Sequence, residues 1–195
     1  MNKLLLLFTI ICLTLSCKNS GQRVETAVEE DEIPSTFFPV TDFLKGEVKA
    51  LKERGINPLK IVTANNKMDS TWLKMEALDS AFAEFTKTEI DSAAMMPYFK
   101  ESRFLDQTIN TFTFTYSPKA ALPSGMLVKR WDIYVNPETG RVKRLYIEKY
   151  GPDQKDIQLS WEGTKSCRIV YMDTDKSGNT KVSREELIKW NFDEE

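Results

Sequence analysis

Apolar side chains recur every three or four residues between positions 41 and 96, a spacing that predicts helices with one buried face. The first predicted helix begins near Thr41 and ends before Gly55, where a glycine and then a proline stop it. A second is predicted from about Thr71 to Phe85, and a shorter third from Glu89 to about Met96. The apolar stripes of the first two helices are Phe43, Leu44, Val48 and Leu51, and Met75, Leu78, Phe82 and Phe85.

After residue 106 the apolar period changes to two, the spacing of β-strands. The strict alternation of threonine and aromatic residues over Asn110–Tyr116 is the strongest strand pattern in the chain. The earlier run Leu59–Thr63 is also predicted to be a strand, ending at the turn-forming pair Asn65–Asn66. In a second turn, Asn136–Gly140, proline sets one backbone dihedral and glycine supplies a positive φ. The remaining predicted strands are Lys129–Val135, Arg141–Tyr150, Ile157–Trp161 and Arg168–Met172.

Short turns between successive strands favour an antiparallel meander, with the helices covering one of its faces. We therefore expect an α+β fold: an antiparallel meander sheet of about five or six strands with two or three helices packed on one face. Residues 36–195 are predicted to form a single α+β globular domain, because a chain of that length fills one core and is short for two.

The N-terminus is built like a secretory signal, with a positive start, the apolar run Leu4–Leu15 and a small residue, Ser16. Cys17 follows directly, and the polar chain begins after it. This arrangement resembles the lipobox of bacterial lipoproteins, with the departure that Thr14 stands where the family prefers leucine. The resemblance implies that residues 1–16 are removed as a signal peptide and that the Cys17 thiol is acylated.

The lipoprotein resemblance implies a place in the cell envelope. Dual acylation gives stable membrane anchoring, and Lys18, which is not the aspartate that retains many lipoproteins in an inner membrane, favours the outer membrane. Residues 17–35 are predicted to be a flexible acidic tether, since they hold the cluster Glu29–Glu32 and little apolar surface. The alternative is an ordinary signal peptide with an unmodified Cys17, which leaves the cysteine at the junction unexplained.

Histidine is absent from the sequence, and its absence removes several classes of chemistry. Ser-His-Asp catalysis, Cys-His catalysis and His-ligated zinc all require it. Once the signal is removed, Cys167 is the one thiol besides Cys17, and its apolar surroundings predict a buried, unreactive side chain. The formal net charge of −2 argues against a nucleic-acid partner. No glycine-rich phosphate loop is present, so we expect no cofactor, with calcium as the one alternative.

Four acidic residues on or between the predicted strands are candidates for glycoside hydrolysis, which needs two carboxylates flanking one bond. Asp132 and Glu148 fall on neighbouring strands, and Asp106 and Asp156 fall in nearby connections. In the other reading they are solvated strand acids that pair across the sheet, an ordinary stabilising arrangement, with Lys129, Arg130, Lys143 or Lys149. We favour this second reading and predict that the protein is not an enzyme.

The hairpin from Lys129 to Tyr150 concentrates basic and aromatic residues. Such a surface docks anionic glycans or acidic proteins through ion pairs and cation–π contacts. We predict a binding face for the membrane-anchored domain, taking an anionic envelope glycan such as lipopolysaccharide or a protein partner, made by Lys129, Trp131, Lys143, Arg144 and Tyr146. A solvated sheet face is the alternative. The segment Ile133–Val142 also resembles hairpins of PepSY-type periplasmic domains, over one turn only and with no function implied.

The segment from Asp173 to Glu186 resembles an EF-hand calcium loop. In the register that begins at Asp173, oxygens fall at the first, third and fifth places and Gly178 at the sixth, but Arg184 takes the twelfth. In the register that begins at Asp175, Glu186 closes the loop. Together they predict a weak calcium site made by Asp173, Asp175, Ser177, Asn179, Lys181 through its carbonyl, and Glu186.

Alternatives stay open for this segment and for the whole domain. Ser183–Glu186 is also a capping box, which would make the segment a polar connection from a strand to a last helix. For the domain we favour a lipid-anchored, non-enzymatic binding or structural module of unknown ligand, attached to the outer membrane. A carboxylate-dependent hydrolase and a calcium-binding module are the alternatives.

The lipoprotein assignment makes a prediction about Cys17. The Cys17→Ala variant should escape normal processing and stay unlabelled by radioactive palmitate, because the Cys17 thiol is the acyl acceptor. Membrane fractionation and palmitate labelling measure this, and Cys12→Ala, within the apolar run, is the matched control that should label normally. A Cys17→Ala protein that still labels and stays with membranes would contradict the assignment.

Overall fold

Nine β-strands joined in one antiparallel sheet dominate the computed structural model, which describes residues 37–192 except 91, 153, 154 and 176. The strands are β1 (Leu59–Ala64), β2 (Lys67–Trp72), β3 (Phe99–Asp106), β4 (Thr111–Pro118), β5 (Val128–Val135), β6 (Val142–Tyr150), β7 (Asp156–Glu162), β8 (Ser166–Thr174) and β9 (Thr180–Lys189). Their order is β2-β1-β9-β8-β7-β6-β5-β4-β3. Cys17, the predicted signal peptide 1–16 and the predicted tether 17–35 lie outside the described residues.

The sheet contains the predicted antiparallel meander and is larger than predicted. Strands β3 to β9 follow one another in space as in sequence, and the β1–β2 hairpin joins the sheet through β1 and β9. Of the strands the sequence did not predict, β3 is polar over Lys100–Arg103 and has no apolar period. It forms because eight of its residues pair with β4, an interaction between segments that local patterns do not report.

Strand β9 stands where a last helix was the alternative. It pairs with β8 on one side and with β1 on the other, so two neighbouring strands satisfy its backbone groups. The capping-box reading of Ser183–Glu186 is therefore wrong. Burial alternates along this part of the strand, with Glu186 and Ile188 buried and Leu187 between them partly exposed.

The first predicted helix is confirmed as α1 (Val40–Glu53), and its buried residues follow the predicted stripe at Leu44, Val48 and Leu51. A hydrogen bond from the Ile90 backbone N–H to the Thr41 hydroxyl, 2.9 Å long, joins its first turn to the segment just before the helix Ser92–Met95. In the described part of the chain, no helix is long and apolar enough to cross a membrane.

The second predicted helix, Thr71–Phe85, is wrong in its first part and interrupted in the rest. Asn65 and Asn66 adopt φ angles of 51° and 58°, which turn the chain back sharply and start β2. The helical part that follows consists of short pieces: a 3₁₀ turn at Met75–Ala77, α2 (Leu78–Ala81) and α3 (Ala83–Thr86). The third predicted helix shortens to α4 (Ser92–Met95).

The helices cover one face of the sheet, called the inner face here, through a cluster of aromatic rings. Trp161 of β7 lies at its centre, fully buried. The centroid of the Trp161 ring lies 5.6 Å from that of Phe82 and 5.5 Å from that of Phe85. It lies 4.8 Å from the centroid of the Trp190 ring. Aromatic contacts at these distances add stability beyond their buried area, so this cluster joins the two layers.

Cys167 lies on the same inner face, where it is 1 % exposed. Burial, and next the charge of Glu186, raise the pKa of its thiol well above the usual range. A thiol in this environment stays protonated and is a poor nucleophile. The prediction of a buried cysteine is confirmed, and the raised pKa agrees with the prediction that it is unreactive.

A buried lysine also ties the helices to the sheet. Lys149 of β6 extends to Glu84 of α3, and its ammonium lies 2.6 Å from the Glu84 carboxylate. The same ammonium donates to the Thr88 hydroxyl at 2.8 Å and to the Glu84 carbonyl oxygen at 3.3 Å. These three contacts compensate the burial of the charge.

The Lys149 contacts make a prediction about stability. Lys149→Met leaves the Glu84 carboxylate and the Thr88 hydroxyl without their partner, and we expect the free energy of unfolding to fall by about 2 kcal/mol. Lys52→Met is the matched control, since Lys52 also lies 2.6 Å from a carboxylate, that of Asp79, on a more exposed surface. Its loss should cost less than about 1 kcal/mol. Urea denaturation measures both, and equal costs would show that Lys149 is not a structural tie.

Candidate functional site

The face of the sheet away from the helices, called the outer face here, carries a polar depression over β5, β6 and β7. Alternation along β5 explains its lining, because Trp131 and Ile133 are fully buried and their neighbours must point the other way. The residues that line the depression, called the outer-face cluster below, are Arg130, Asp132, Tyr134, Arg144, Tyr146, Glu148 and Ser160.

Strand register brings these side chains together. Asp132 of β5 lies opposite Tyr146 of β6, and Tyr134 lies opposite Arg144. The depression has a volume of about 380 Å³ and is open to solvent along its length. Two guanidinium and two carboxylate groups line it, so its formal charges balance, and two tyrosine rings supply flat apolar surface.

The ion pair between Arg130 and Asp132 is only half made. One guanidinium nitrogen lies 2.7 Å from Asp132 Oδ2, whereas Arg130 Nε and Asp132 Oδ1 are both buried and have no hydrogen-bond partner among the described residues. Arginine and carboxylate commonly pair through two parallel hydrogen bonds. A buried donor and a buried acceptor without partners destabilise the folded state. A ligand group that both donates and accepts a hydrogen bond would therefore be stabilised at this pair.

Tyr146, Glu148 and Arg144 of the cluster already have partners. The Tyr146 hydroxyl donates to Glu148 at 3.1 Å, and Arg144 lies 2.9 Å from Glu162 on β7. Burial, and then the charge of Glu148, raise the pKa of Tyr146 above its usual range, and burial followed by the charge of Asp132 raises that of Tyr134. Both tyrosines therefore stay protonated and act as hydrogen-bond donors across the physiological pH range.

The predicted binding face is only partly assembled. Arg144 and Tyr146 lie together in the outer-face cluster, but Trp131 is fully buried on the inner face and cannot belong to it. Lys129 is held by Asp156 at 2.7 Å and lies over the Tyr150 ring. The Lys143 ammonium donates to the Thr111 hydroxyl at 3.0 Å, also outside the cluster.

The residues predicted for the binding face leave out Arg130 and Tyr134, although both lie in the basic, aromatic hairpin and a further signal for them was present. The strand pattern puts Trp131, Ile133 and Val135 on one side, and the same alternation puts Arg130, Asp132 and Tyr134 on the other. The alternation therefore also excludes Trp131 from any face that contains Tyr134. No comparable local signal identifies Ser160, which reaches the cluster through the pairing of β6 with β7.

Two of the four candidate hydrolytic carboxylates meet in the structure. Asp132 and Glu148 line the same depression. Asp106 instead caps a turn by accepting the backbone N–H of Thr108 at 2.9 Å, and Asp156 pairs with Lys129. Of the predicted pairings with basic residues, Asp156 pairs with Lys129 across the sheet and Asp132 pairs with Arg130 of its own strand. Glu148 instead accepts from Tyr146, and Asp106 from a backbone N–H.

The predicted calcium ligands do not converge. Glu186 is buried on the inner face, with its carboxylate 2.6 Å from the Lys60 ammonium and in contact with Arg184. It lies six residues along β9 from Thr180, which at about 3.3 Å per residue is roughly 20 Å. Calcium holds its oxygens at about 2.3–2.6 Å, so Glu186 cannot share an ion with Asp175. The EF-hand ligand set that includes Glu186 is therefore wrong.

The remaining loop residues form a hairpin turn between two strands. Asp175 accepts the backbone N–H groups of Ser177 at 2.8 Å and Asn179 at 2.9 Å. Asp173 pairs with Lys155 at 3.0 Å, and Lys181 lies on β9 opposite Asp173. In the part of the chain that the structure describes, no group of three or more His, Cys, Asp or Glu residues could hold a metal ion.

A second depression lies on the helical side, between α1 and the α2–α3 segment. Its volume is about 710 Å³, and its lining residues include the lysines Lys45, Lys49, Lys52 and Lys87. Asp79 holds Lys52 at 2.6 Å, and Glu53 lies 3.7 Å from Lys49. These pairs lower its positive charge and make it a charge-paired groove between helices.

Comparison of the sequence with protein-family models gave no match, and neither did comparison with curated proteins or with solved structures. Any statement about function must therefore come from the chain's own residues and their geometry.

The loop between β8 and β9 makes a prediction that separates a turn from a metal site. The hydrogen bonds from Asn179 and then Ser177 hold the pKa of Asp175 below its usual value, so its stabilising effect is present at neutral pH and disappears as the pH falls through that lowered pKa. Asp175→Ala should lower the melting temperature at pH 7 equally in millimolar calcium and in chelator, and not at strongly acidic pH.

Ser177→Ala is the matched control for this experiment. It removes a predicted calcium ligand but leaves both backbone hydrogen bonds to Asp175 in place, so the melting temperature should not change. A rise in wild-type melting temperature with calcium that both variants abolish would restore the metal-site reading. Thermal unfolding followed by circular dichroism measures all three proteins.

Proposed function

We propose that this chain is a lipid-anchored outer-membrane lipoprotein whose domain is a non-enzymatic module that binds an envelope glycan through its outer-face cluster. The support for the anchor is the signal-like segment that ends at Cys17. A tether from Cys17 to about residue 35 would let the domain reach partners beyond the membrane surface, since an extended residue spans about 3.3–3.6 Å.

The half-made ion pair of Arg130 and Asp132 is the observation that carries the glycan proposal. The unpaired groups are one donor, Arg130 Nε, and one acceptor, Asp132 Oδ1. A sugar hydroxyl both donates and accepts, so one hydroxyl can satisfy the two groups together. The Asp132 side chain is 5 % exposed and the Arg130 side chain 44 %, so the hydroxyl approaches the pair from the Arg130 side.

The groups around this pair fit the same ligand class. Tyr134 and Tyr146 present partly exposed rings on which the apolar faces of sugars can lie, and their hydroxyls remain donors. Arg144 is the exposed cation at the rim and suits a phosphate or carboxylate on the glycan. Most polar partners in this cluster are side chains of the sheet itself, which is a rigid support for a binding site.

A carboxylate-dependent hydrolase is the second candidate, favoured by the shared depression of Asp132 and Glu148. Glycosidases need one carboxyl as proton donor and a second as base or nucleophile, both free to reach the sugar. Here Arg130 holds Asp132 and the Tyr146 hydroxyl is bonded to Glu148. The open, shallow form of the depression also suits binding better than catalysis, because it does not exclude water.

The glycan proposal predicts an effect of Arg144. Arg144→Gln should weaken binding to immobilised lipopolysaccharide or soluble peptidoglycan by about tenfold, since a hydrogen bond to a charged group is worth about 1.5–3 kcal/mol. Surface plasmon resonance measures this. Arg168→Gln is the matched control: the two arginine side chains are 55 % and 51 % exposed, and each pairs with a glutamate on a neighbouring strand.

Of these two arginines, Arg144 lines the depression and Arg168 does not, so the Arg168→Gln variant should bind as the wild type does. Equal losses in the two variants would mean that binding depends on overall charge and not on the cluster. Binding that Arg144→Gln leaves unchanged would remove the cluster from consideration. Release of reducing ends from either polysaccharide, abolished by Glu148→Gln, would favour the hydrolase instead.

A further inference from the structure

At the sheet edge formed by β2 the outer face is apolar instead of polar, because large apolar side chains are exposed to solvent there. Met68 is 73 % exposed, Trp72 61 % and Phe192 49 %. The Trp72 and Phe192 rings lie 5.8 Å apart and form one surface. All six residues of β2 are exposed, so the β1–β2 hairpin projects from the edge of the domain.

Strand register extends this apolar surface across the neighbouring strands. Trp72 of β2 lies opposite Leu59 of β1, and Ile61 of β1 lies opposite Leu187 of β9. Leu187 precedes the buried Ile188, so it belongs to the outer face. These outer-face residues, called the edge patch below, are Leu59, Ile61, Met68, Trp72, Leu187 and Phe192.

Two lysines border the edge patch. Lys189 places its ammonium 5.5 Å from the centre of the Phe192 ring, and Lys74 is exposed two residues after Trp72. Neither lysine has a carboxylate partner in the described residues, unlike Arg130 and Arg144 of the outer-face cluster. Aromatic rings flanked by unpaired lysines are suited to the interface of an anionic membrane, where the rings enter the headgroup region.

The edge strand itself is poorly suited to pairing with another chain. Asp69 stands in the middle of β2 with its charge exposed, and charged residues in short edge strands oppose strand addition. We propose that the edge patch inserts into the headgroup region of a phospholipid bilayer, as a second membrane contact beside the lipid anchor. This inference rests on the proposed lipoprotein function in one respect, since the anchor is what keeps the domain near a membrane.

Membrane contact through the edge patch would also orient the domain. Insertion of the patch would place the β2 edge of the sheet at the bilayer surface, several strands away from the outer-face cluster on β5 to β7. Since dual acylation by itself gives stable attachment, the patch would set the orientation of the domain and not its attachment.

The test uses the mature chain, residues 17–195, with Cys17→Ser, so that no lipid contributes to binding. Trp72 is the one exposed tryptophan in the described part of the chain, since Trp131, Trp161 and Trp190 are buried. Vesicles of phosphatidylethanolamine and phosphatidylglycerol should therefore shift tryptophan emission to the blue and protect it from acrylamide. Trp72→Phe should abolish the spectral shift, which assigns it to this residue.

Binding itself is measured by vesicle flotation. Trp72→Ala should lower the partition coefficient at least about tenfold, equivalent to about 1.4 kcal/mol, because the indole supplies much of the inserted surface. Phe104→Ala is the matched control: Phe104 is 47 % exposed and alternates with the inner-face residues of β3 at the opposite edge of the sheet. Its partition should equal that of the wild type.

Three results would overturn the proposal: no partition of the wild type into vesicles, equal losses for Trp72→Ala and Phe104→Ala, or a blue shift that depends on protein concentration without vesicles. The last result, with dimers in sedimentation velocity, would assign the patch to a second copy of the chain. Palmitate labelling is measured separately on the chain that keeps Cys17. Failure of the lipid anchor and failure of the edge patch are therefore distinguishable.

Discussion

Phe82, Phe85 and Trp190 enclose Trp161, and the contacts among these four rings hold the helices on the sheet. Each aromatic side chain of this kind buries about 150–250 Å², and apolar burial contributes about 25 cal/mol per Å². The Lys149–Glu84 pair fixes the position of α3 on β6 within the same layer. Since α2 and α3 have only four residues each, they depend on packing against these rings more than on their own hydrogen bonds.

The helices cover only the inner face of the sheet, so the outer face is the one available for binding. The outer face stays in solvent, and its two regions differ because their strands alternate differently. In β5 and β6 the outward positions are arginine, aspartate, glutamate and tyrosine, whereas in β1 and β9 they include Leu59, Ile61 and Leu187. One sheet thus presents a polar depression at its centre and an apolar surface at its β2 edge, and both proposals arise from this division.

Local pairing decides how much of the chain's charge is available to a partner. The basic hairpin looks like a cationic surface in sequence, but Lys129, Arg144 and Lys149 each face a carboxylate of another strand or helix. What distinguishes the outer-face cluster is therefore not its charge but the incomplete bonding of Arg130 and Asp132. At the edge patch, by contrast, positive charge is available to a partner, because Lys74 and Lys189 have no carboxylate partner among the described residues.

The sequence by itself determined the elements whose pattern is strong and local. The stripe of α1, the alternation of β4 to β8 and the asparagine turn before β2 all follow from side-chain period and backbone preference. It also placed Cys167 in an apolar environment. Only the tertiary structure decided the strands β2, β3 and β9, because each forms by pairing with another strand: β2 with β1, β3 with β4, and β9 with β8 and β1. It likewise decided the site: Glu186 left the calcium loop because β1 and β8 hold β9 extended, and Arg130, Asp132 and Glu148 met because strand register aligned them.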